Sequence, residues 1–173
     1  MLAKIIATTL LLTADHGFAG VSKKLPGQFS LKPLNGKTAL TQASLSHDGY
    51  TLVQFWASWC TTCGSTMKQL ATWSAKQSDF GLVTVSVDES MDEAKTYFEG
   101  KNKDLAPFMS KAYLDEGGSF AEMVQIEGIP TVLMVNRSGN IIYKIYGHPS
   151  VADLNKMRAI ANKTYAEKLD AKS

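Results

Sequence analysis

The run YTLVQFWA, residues 50–57, constrains the fold more than any other part of the chain. It is β-branched and aromatic without apolar–polar alternation, and a strand of that kind must be covered on both faces. It therefore belongs in the middle of a sheet with a further layer on each side. Immediately after it comes SWCTTC, which holds the only two cysteines of the sequence, Cys60 and Cys63. From residue 60 to about residue 76 the spacing predicts a helix, with Cys63, Met67, Leu70 and Ser74 along one side.

The remaining elements fit such a layered arrangement. Residues 82–87 (LVTVSV) read as a second buried strand. Ser90 opens a helix to about residue 101, with Glu93 completing a capping box. Residues 105–114 are a further candidate strand, and residues 118–124 a short helix. TVLMVN (131–136) and NIIYKIY (140–146), joined by Arg137, Ser138 and Gly139, form the clearest hairpin. A smaller hairpin is expected ahead of the main fold, where residues 28–31 and 37–40 flank a turn containing Asn35-Gly36. A last helix spans about residues 150–169, with Leu154, Met157, Ala161 and Tyr165 on its inner face. Strands that alternate with helices and end in a hairpin imply an α/β sandwich with a mixed sheet. The length of 173 residues suits one such domain, and no internal repeat or linker marks a second. Basic residues number 18 against 16 acidic, scattered along the chain, so nothing in the charge favours nucleic acid as a partner.

The N-terminus has Lys4, an apolar run from Ile5 to Leu12, and small residues at Gly17 and Ala19. That pattern reads as a secretory signal peptide over residues 1–19, leaving one domain over 20–173. The run is much shorter than the ~18 residues of a membrane-spanning helix, so cleavage is expected rather than an uncleaved anchor. The compartment implied is periplasmic or otherwise extracytoplasmic, and oxidising.

Two thiols three residues apart can bind a metal, staple a turn or exchange electrons. Zinc would need four ligands, and the only histidines are His16, His47 and His148. A Cu(I) carrier remains an alternative, with Met67 or Met123 completing a two-thiolate site. A staple closing so short a loop would remove little unfolded-chain entropy. For redox chemistry the placement is favourable. Cys60 lies where a strand gives way to a helix, and amide groups of a first helical turn stabilise a thiolate. Cys63, one turn on, is close enough for a disulfide and faces inward, so Cys60 would attack and Cys63 resolve.

WCTTC at a strand-to-helix junction together with GIPT at 128–131 resembles the thioredoxin superfamily. The early hairpin, the FWASWC approach and the long stretch between Cys63 and Pro130 are similar to its TlpA/ResA/CcmG-like extracytoplasmic group. The resemblance implies a thioredoxin-like α/β fold, a mixed central sheet flanked by helices, with an N-terminal β-hairpin and a central insertion. It implies a thiol-disulfide oxidoreductase with Cys60 as nucleophile and Cys63 as resolving thiol, and no cofactor beyond that redox-active disulfide. It further implies a cis proline at Pro130, which leaves the backbone of Ile129 free to pair with a substrate strand. Trp59 would be an aromatic wall beside the nucleophile, whereas Trp56 would only pack.

Three departures from the group's pattern stand out. Gln54 occupies the place of thioredoxin's buried Asp, and Thr66 and Lys68 stand where many TlpA-like proteins have Glu and Pro. A buried carboxylate tunes a thiol and relays a proton, so its replacement leaves the proton route open. Glu122 and Glu127 are the nearest substitutes in the Pro130 region, although charged loop residues are usually only solvated. The partners implied are protein thiols and disulfides and a membrane electron donor of the DsbD/CcdA type, with the protein a monomer. A reductant is the expected direction, an oxidase or isomerase its alternative. A peroxidase of the same fold would need a peroxide pocket around one cysteine, which WCTTC does not resemble.

Overall fold

A computed structural model describes residues 24–36, 38–45 and 49–170, so the segment read as a signal peptide lies outside the described residues. Six strands form one mixed sheet: β1 (Lys32–Pro33), β2 (Tyr50–Trp56), β3 (Phe80–Ser86), β4 (Ala112–Leu114), β5 (Thr131–Asn136) and β6 (Ile141–Tyr146), in the order β1-β4-β3-β2-β5-β6. The run singled out in the sequence is β2, buried at all seven positions, with β3 parallel to it on one side and β5 antiparallel on the other.

Alternate residues of β2 serve opposite faces. Val53 and Phe55 pack with Phe120 and Val124, and Leu52 packs with Leu70, Leu154 and Met157. The first face is covered by the short helix α3 (Ser119–Met123), the second by α1 (Cys63–Ser74) and α4 (Val151–Asp170). The remaining helix, α2 (Met91–Thr96), is opened by the expected capping box: Glu93 N–H donates to Ser90 Oγ, and Ser90 N–H to the Glu93 carboxylate, each at 3.2 Å. A thioredoxin-like α/β fold results, as the resemblance implied.

Several boundaries differ from those expected, each for a local reason. Helix α1 begins at Cys63, and residues 60–62 form the turn before it. The expected strand over 105–114 is confined to β4, because Gly100–Lys111 winds as 3-10 turns, with Leu105 fully buried. Pro107 inside that stretch has no N–H to give a sheet and a φ suited to a helical turn. The helix from Ser90 is likewise cut to α2. Tyr165, expected on the inner face of α4, is 68% exposed, because the helix outruns the sheet after Ala161. The early hairpin closes where Leu31 and Leu40 exchange N–H···O bonds of 3.0 Å. Its first arm then becomes β1 and pairs with β4, and Leu34 N–H donates to Ala112 O at 2.8 Å. Pro33 is tolerated there because β1 is an edge strand.

Candidate active site

Where β2 ends, the chain makes two successive turns. Cys60 N–H donates to Ala57 O at 3.1 Å and Cys63 N–H to Cys60 O at 3.4 Å. These turns bring Cys60 and Cys63 into a disulfide, with Cα atoms 5.5 Å apart. Cys63 is wholly buried and Cys60 is 8% exposed, so what access the pair offers is to Cys60. Trp59 stands out into solvent at 70% exposure. Trp56 is a packing residue, buried against Tyr97 and Phe98.

The turn is held from below by a carboxylate that the sequence reading passed over. Asp88, two residues past the end of β3, is buried and accepts from Ser58 N–H at 2.9 and 3.0 Å. It also accepts from Ser58 Oγ at 2.8 Å and Ser86 Oγ at 2.6 Å. Parallel pairing of β2 and β3 ends with Trp56 opposite Ser86, which brings Asp88 beneath Ser58. The available clue was an acidic residue just beyond a buried strand.

The second segment arrives at the start of β5. The Ile129–Pro130 peptide is cis, Pro130 is buried, and Ile129 packs against the cluster containing Cys60, Cys63 and Trp56. Thr131 Oγ1 donates to Gly128 O at 2.6 Å, and Pro130 O accepts from Gly147 N–H at 2.8 Å. The fold thus gathers Cys60, Cys63 and Ile129 from segments some seventy residues apart, at the C-terminal end of the central strand.

The groups around Cys63 are neutral. Gln54 is fully buried and its Nε2 donates to Cys63 O at 2.9 Å. Gln54 Oε1 and, at the paired position of β3, Thr84 Oγ1 are buried with no hydrogen-bond partner among the described residues. Thr66, also fully buried, donates to Thr62 O at 3.1 Å and shares a 2.9 Å hydrogen bond with His148 Nδ1. Tyr97 receives a backbone hydrogen bond from Gly64, and burial pushes its phenol above the usual range. Glu122 and Glu127 are both exposed, and Glu127 acts on Lys144 and Tyr146. Met67 lies in the cysteines' cluster, but Met123 is 43% exposed on α3, whose buried residues pack on the other face of the sheet. The structure does not bring the two methionines together.

Comparison with known proteins agrees with this geometry. The family model described as Redoxin matches residues 21–160. The chain belongs to the Redoxin family. Among its relatives is the thiol:disulfide interchange protein HelX of Rhodobacter capsulatus, 26% identical over 117 residues that cover 68% of this chain and 63% of HelX. Human nucleoredoxin is 31% identical over 116 residues, which cover 62% of this chain and 25% of nucleoredoxin. The chain therefore spans less than two thirds of either relative. Among solved structures, a thiol-disulfide oxidoreductase from Bacteroides fragilis is 25% identical with a TM-score of 0.63, covering 78% of this chain and 99% of that one. This redoxin has a thioredoxin-like fold, and Cys60–Cys63 is its CxxC pair.

Proposed function

We propose that the protein reduces disulfides in other proteins outside the cytoplasm, with Cys60 as the attacking thiolate and Cys63 as the resolving thiol. The observation that carries the role assignment is the difference in access, 8% for Cys60 against none for Cys63. In the reduced protein the Cys60 thiolate attacks one sulfur of a substrate disulfide, forming a mixed disulfide and releasing the other sulfur as a thiolate that takes a proton. Cys63 then attacks Cys60 Sγ, closing the internal disulfide and releasing the second substrate thiol. Two electrons pass to the substrate.

The substrate strand would lie along Ile129 and Pro130, with Trp59 as an exposed apolar contact. Exposed aromatic side chains of this kind anchor partners at modest entropic cost. The reducing direction is supported by the residues between the cysteines. Thr61 and Thr62 carry no charge, and Lys68, the first cation of α1, pairs with Asp104. A strong oxidant depends on extra stabilisation of its reduced form, and no cation between the cysteines provides it here. After each cycle the disulfide would be reduced by a membrane donor of the DsbD/CcdA type. Residues 1–19 would serve as the export signal, and residues 20–173 as the working domain.

Trapping tests the assignment. Cys63→Ala should accumulate mixed disulfides with exported proteins through Cys60, and Cys60→Ala should accumulate none. Equal trapping by both variants, seen on non-reducing gels, would contradict it.

A further inference from the structure

The resolving step requires Cys63 as a thiolate, yet Cys63 is wholly buried and its thiol has no direct contact with bulk solvent. Gln54 is a poor acceptor, because an amide oxygen is barely basic and its Nε2 is committed to Cys63 O. Tyr97 is kept protonated by burial. Thr66 lies one turn beyond Cys63 on α1, and side chains three residues apart on a helix are neighbours. Its hydroxyl reaches His148, a side chain exposed to solvent whose imidazole nitrogen can accept a proton.

Resting on the reading that Cys63 resolves, we propose that Thr66 and His148 form the proton path of Cys63. Cys63 Sγ–H gives its proton to Thr66 Oγ1 as the Thr66 hydroxyl proton moves to His148 Nδ1. The Cys63 thiolate left behind attacks Cys60 Sγ, and the substrate sulfur departs with the electron pair of the broken bond. His148, now an imidazolium, releases its extra proton to water or to the departing thiolate. Thr66 is built for either state of the ring. With Nδ1 unprotonated the hydroxyl donates to it, and with Nδ1 protonated the ring donates to Oγ1 while the hydroxyl turns to Thr62 O.

The segment carrying His148 is fixed at three points. Gly147 N–H donates to Pro130 O at 2.8 Å, Gln69 Nε2 to Pro149 O at 3.0 Å, and Thr66 holds the ring. Other charged groups on the surrounding elements have their own partners. Lys68 of α1 pairs with Asp104, and Glu127, ahead of Pro130, acts on Lys144 and Tyr146 of β6. At the start of α4, Asp153 accepts from Ser150 and Tyr143, and Lys156 lies over the Tyr143 ring. The His148 imidazole is therefore the basic side chain joined by a hydrogen bond to the cysteine face of α1. The Thr66–His148 pair would stand in for the carboxylate that many TlpA-like proteins carry at the position of Thr66.

The test uses the reduced full chain and 5,5′-dithiobis(2-nitrobenzoate) in stopped flow. Attack by Cys60 releases the first nitrothiophenolate, and attack by Cys63 releases the second. That leaving group departs without a proton, so the second phase isolates deprotonation of Cys63. His148→Gln should slow the second phase roughly ten- to a hundredfold near pH 7. The deficit should narrow as the pH is raised above about 8.5, the ordinary thiol value, because hydroxide then competes with the histidine as proton acceptor. Thr66→Val should behave alike, and Thr66→Ser should keep the wild-type profile. An equal slowing by His148→Gln at every pH, as for a residue that only holds the loop, would overturn the proton path, as would an unchanged profile. If the wild-type protein released no second equivalent, the assignment of Cys63 as resolving thiol would fall first.

Discussion

Gly64, next to Cys63, is where packing and helix propensity oppose each other, and the structure decides which prevails. A Cβ added there would stand 2.8 Å from Tyr97 Oη and 3.2 Å from Leu105 Cδ1. Neither neighbour can yield into solvent, because Tyr97 is 8% exposed and Leu105 not at all. Replacing glycine by alanine within a helix gains about 1 kcal/mol at most, and less in the first turn. Overpacking a buried site costs about 1–3 kcal/mol, and displacing the phenol also weakens its bond from Gly64 N–H, worth about 1 kcal/mol. Gly64→Ala should therefore destabilise the oxidised protein by roughly 1–3 kcal/mol. Tyr97→Phe should cost about 1 kcal/mol through the lost hydrogen bond. In the double variant the hydroxyl that clashes is gone, so its loss should fall short of the sum by about 1 kcal/mol or more. Urea unfolding of the four proteins, with the slope shared, measures the cycle. Stabilisation by Gly64→Ala, or additivity within about 0.5 kcal/mol, would refute the reasoning.

Asp88→Ala removes the acceptor for Ser58 N–H and two serine hydroxyls, and should cost roughly 2–3 kcal/mol because the hydroxyls can turn elsewhere but the amide cannot. Its urea midpoint should fall, and a fall no larger than that of a surface variant would count against the brace. Trp59→Ala should change stability by less than about 0.5 kcal/mol, since the ring is 70% exposed. It should lower kcat/KM for a protein disulfide about tenfold, and an undiminished value would remove Trp59 from the substrate surface. Hydrogen bonds from Ser150, chiefly, hold the Asp153 carboxyl below the usual carboxylate range. A depressed folded pKa contributes stability above the unfolded value near 4, lost as pH falls through the folded one. The stability gap between wild type and Asp153→Asn should accordingly narrow in urea titrations taken from pH 7 to pH 3, and a gap constant with pH would contradict that sign.

The parts of the molecule that reveal themselves in the sequence are those governed by local pattern. The β2 run, the CxxC turn, the β5–β6 hairpin and the Ser90 capping box each depend on a few consecutive residues, and each is where the pattern puts it. Segments decided by distant packing are not legible in the same way. Residues 105–111 have strand-like apolar content, yet Leu105 is drawn into a helical turn by the pocket beside Gly64 and Tyr97. Tyr165 keeps the period of its helix, but the sheet has ended beneath it. The same holds at the site. Cys60, Cys63 and Pro130 announce themselves by motif, whereas Asp88 and His148 matter through partners 30 and 82 residues away. No single stretch of sequence carries such a pairing.

The reducing direction is tested most directly by the equilibrium reduction potential of the Cys60–Cys63 pair, read by alkylation and mass shift across glutathione or dithiothreitol buffers. A reductant recharged by a membrane donor predicts a value near that of thioredoxin, about −270 mV. A value near −120 mV would make the protein an oxidant and contradict the account.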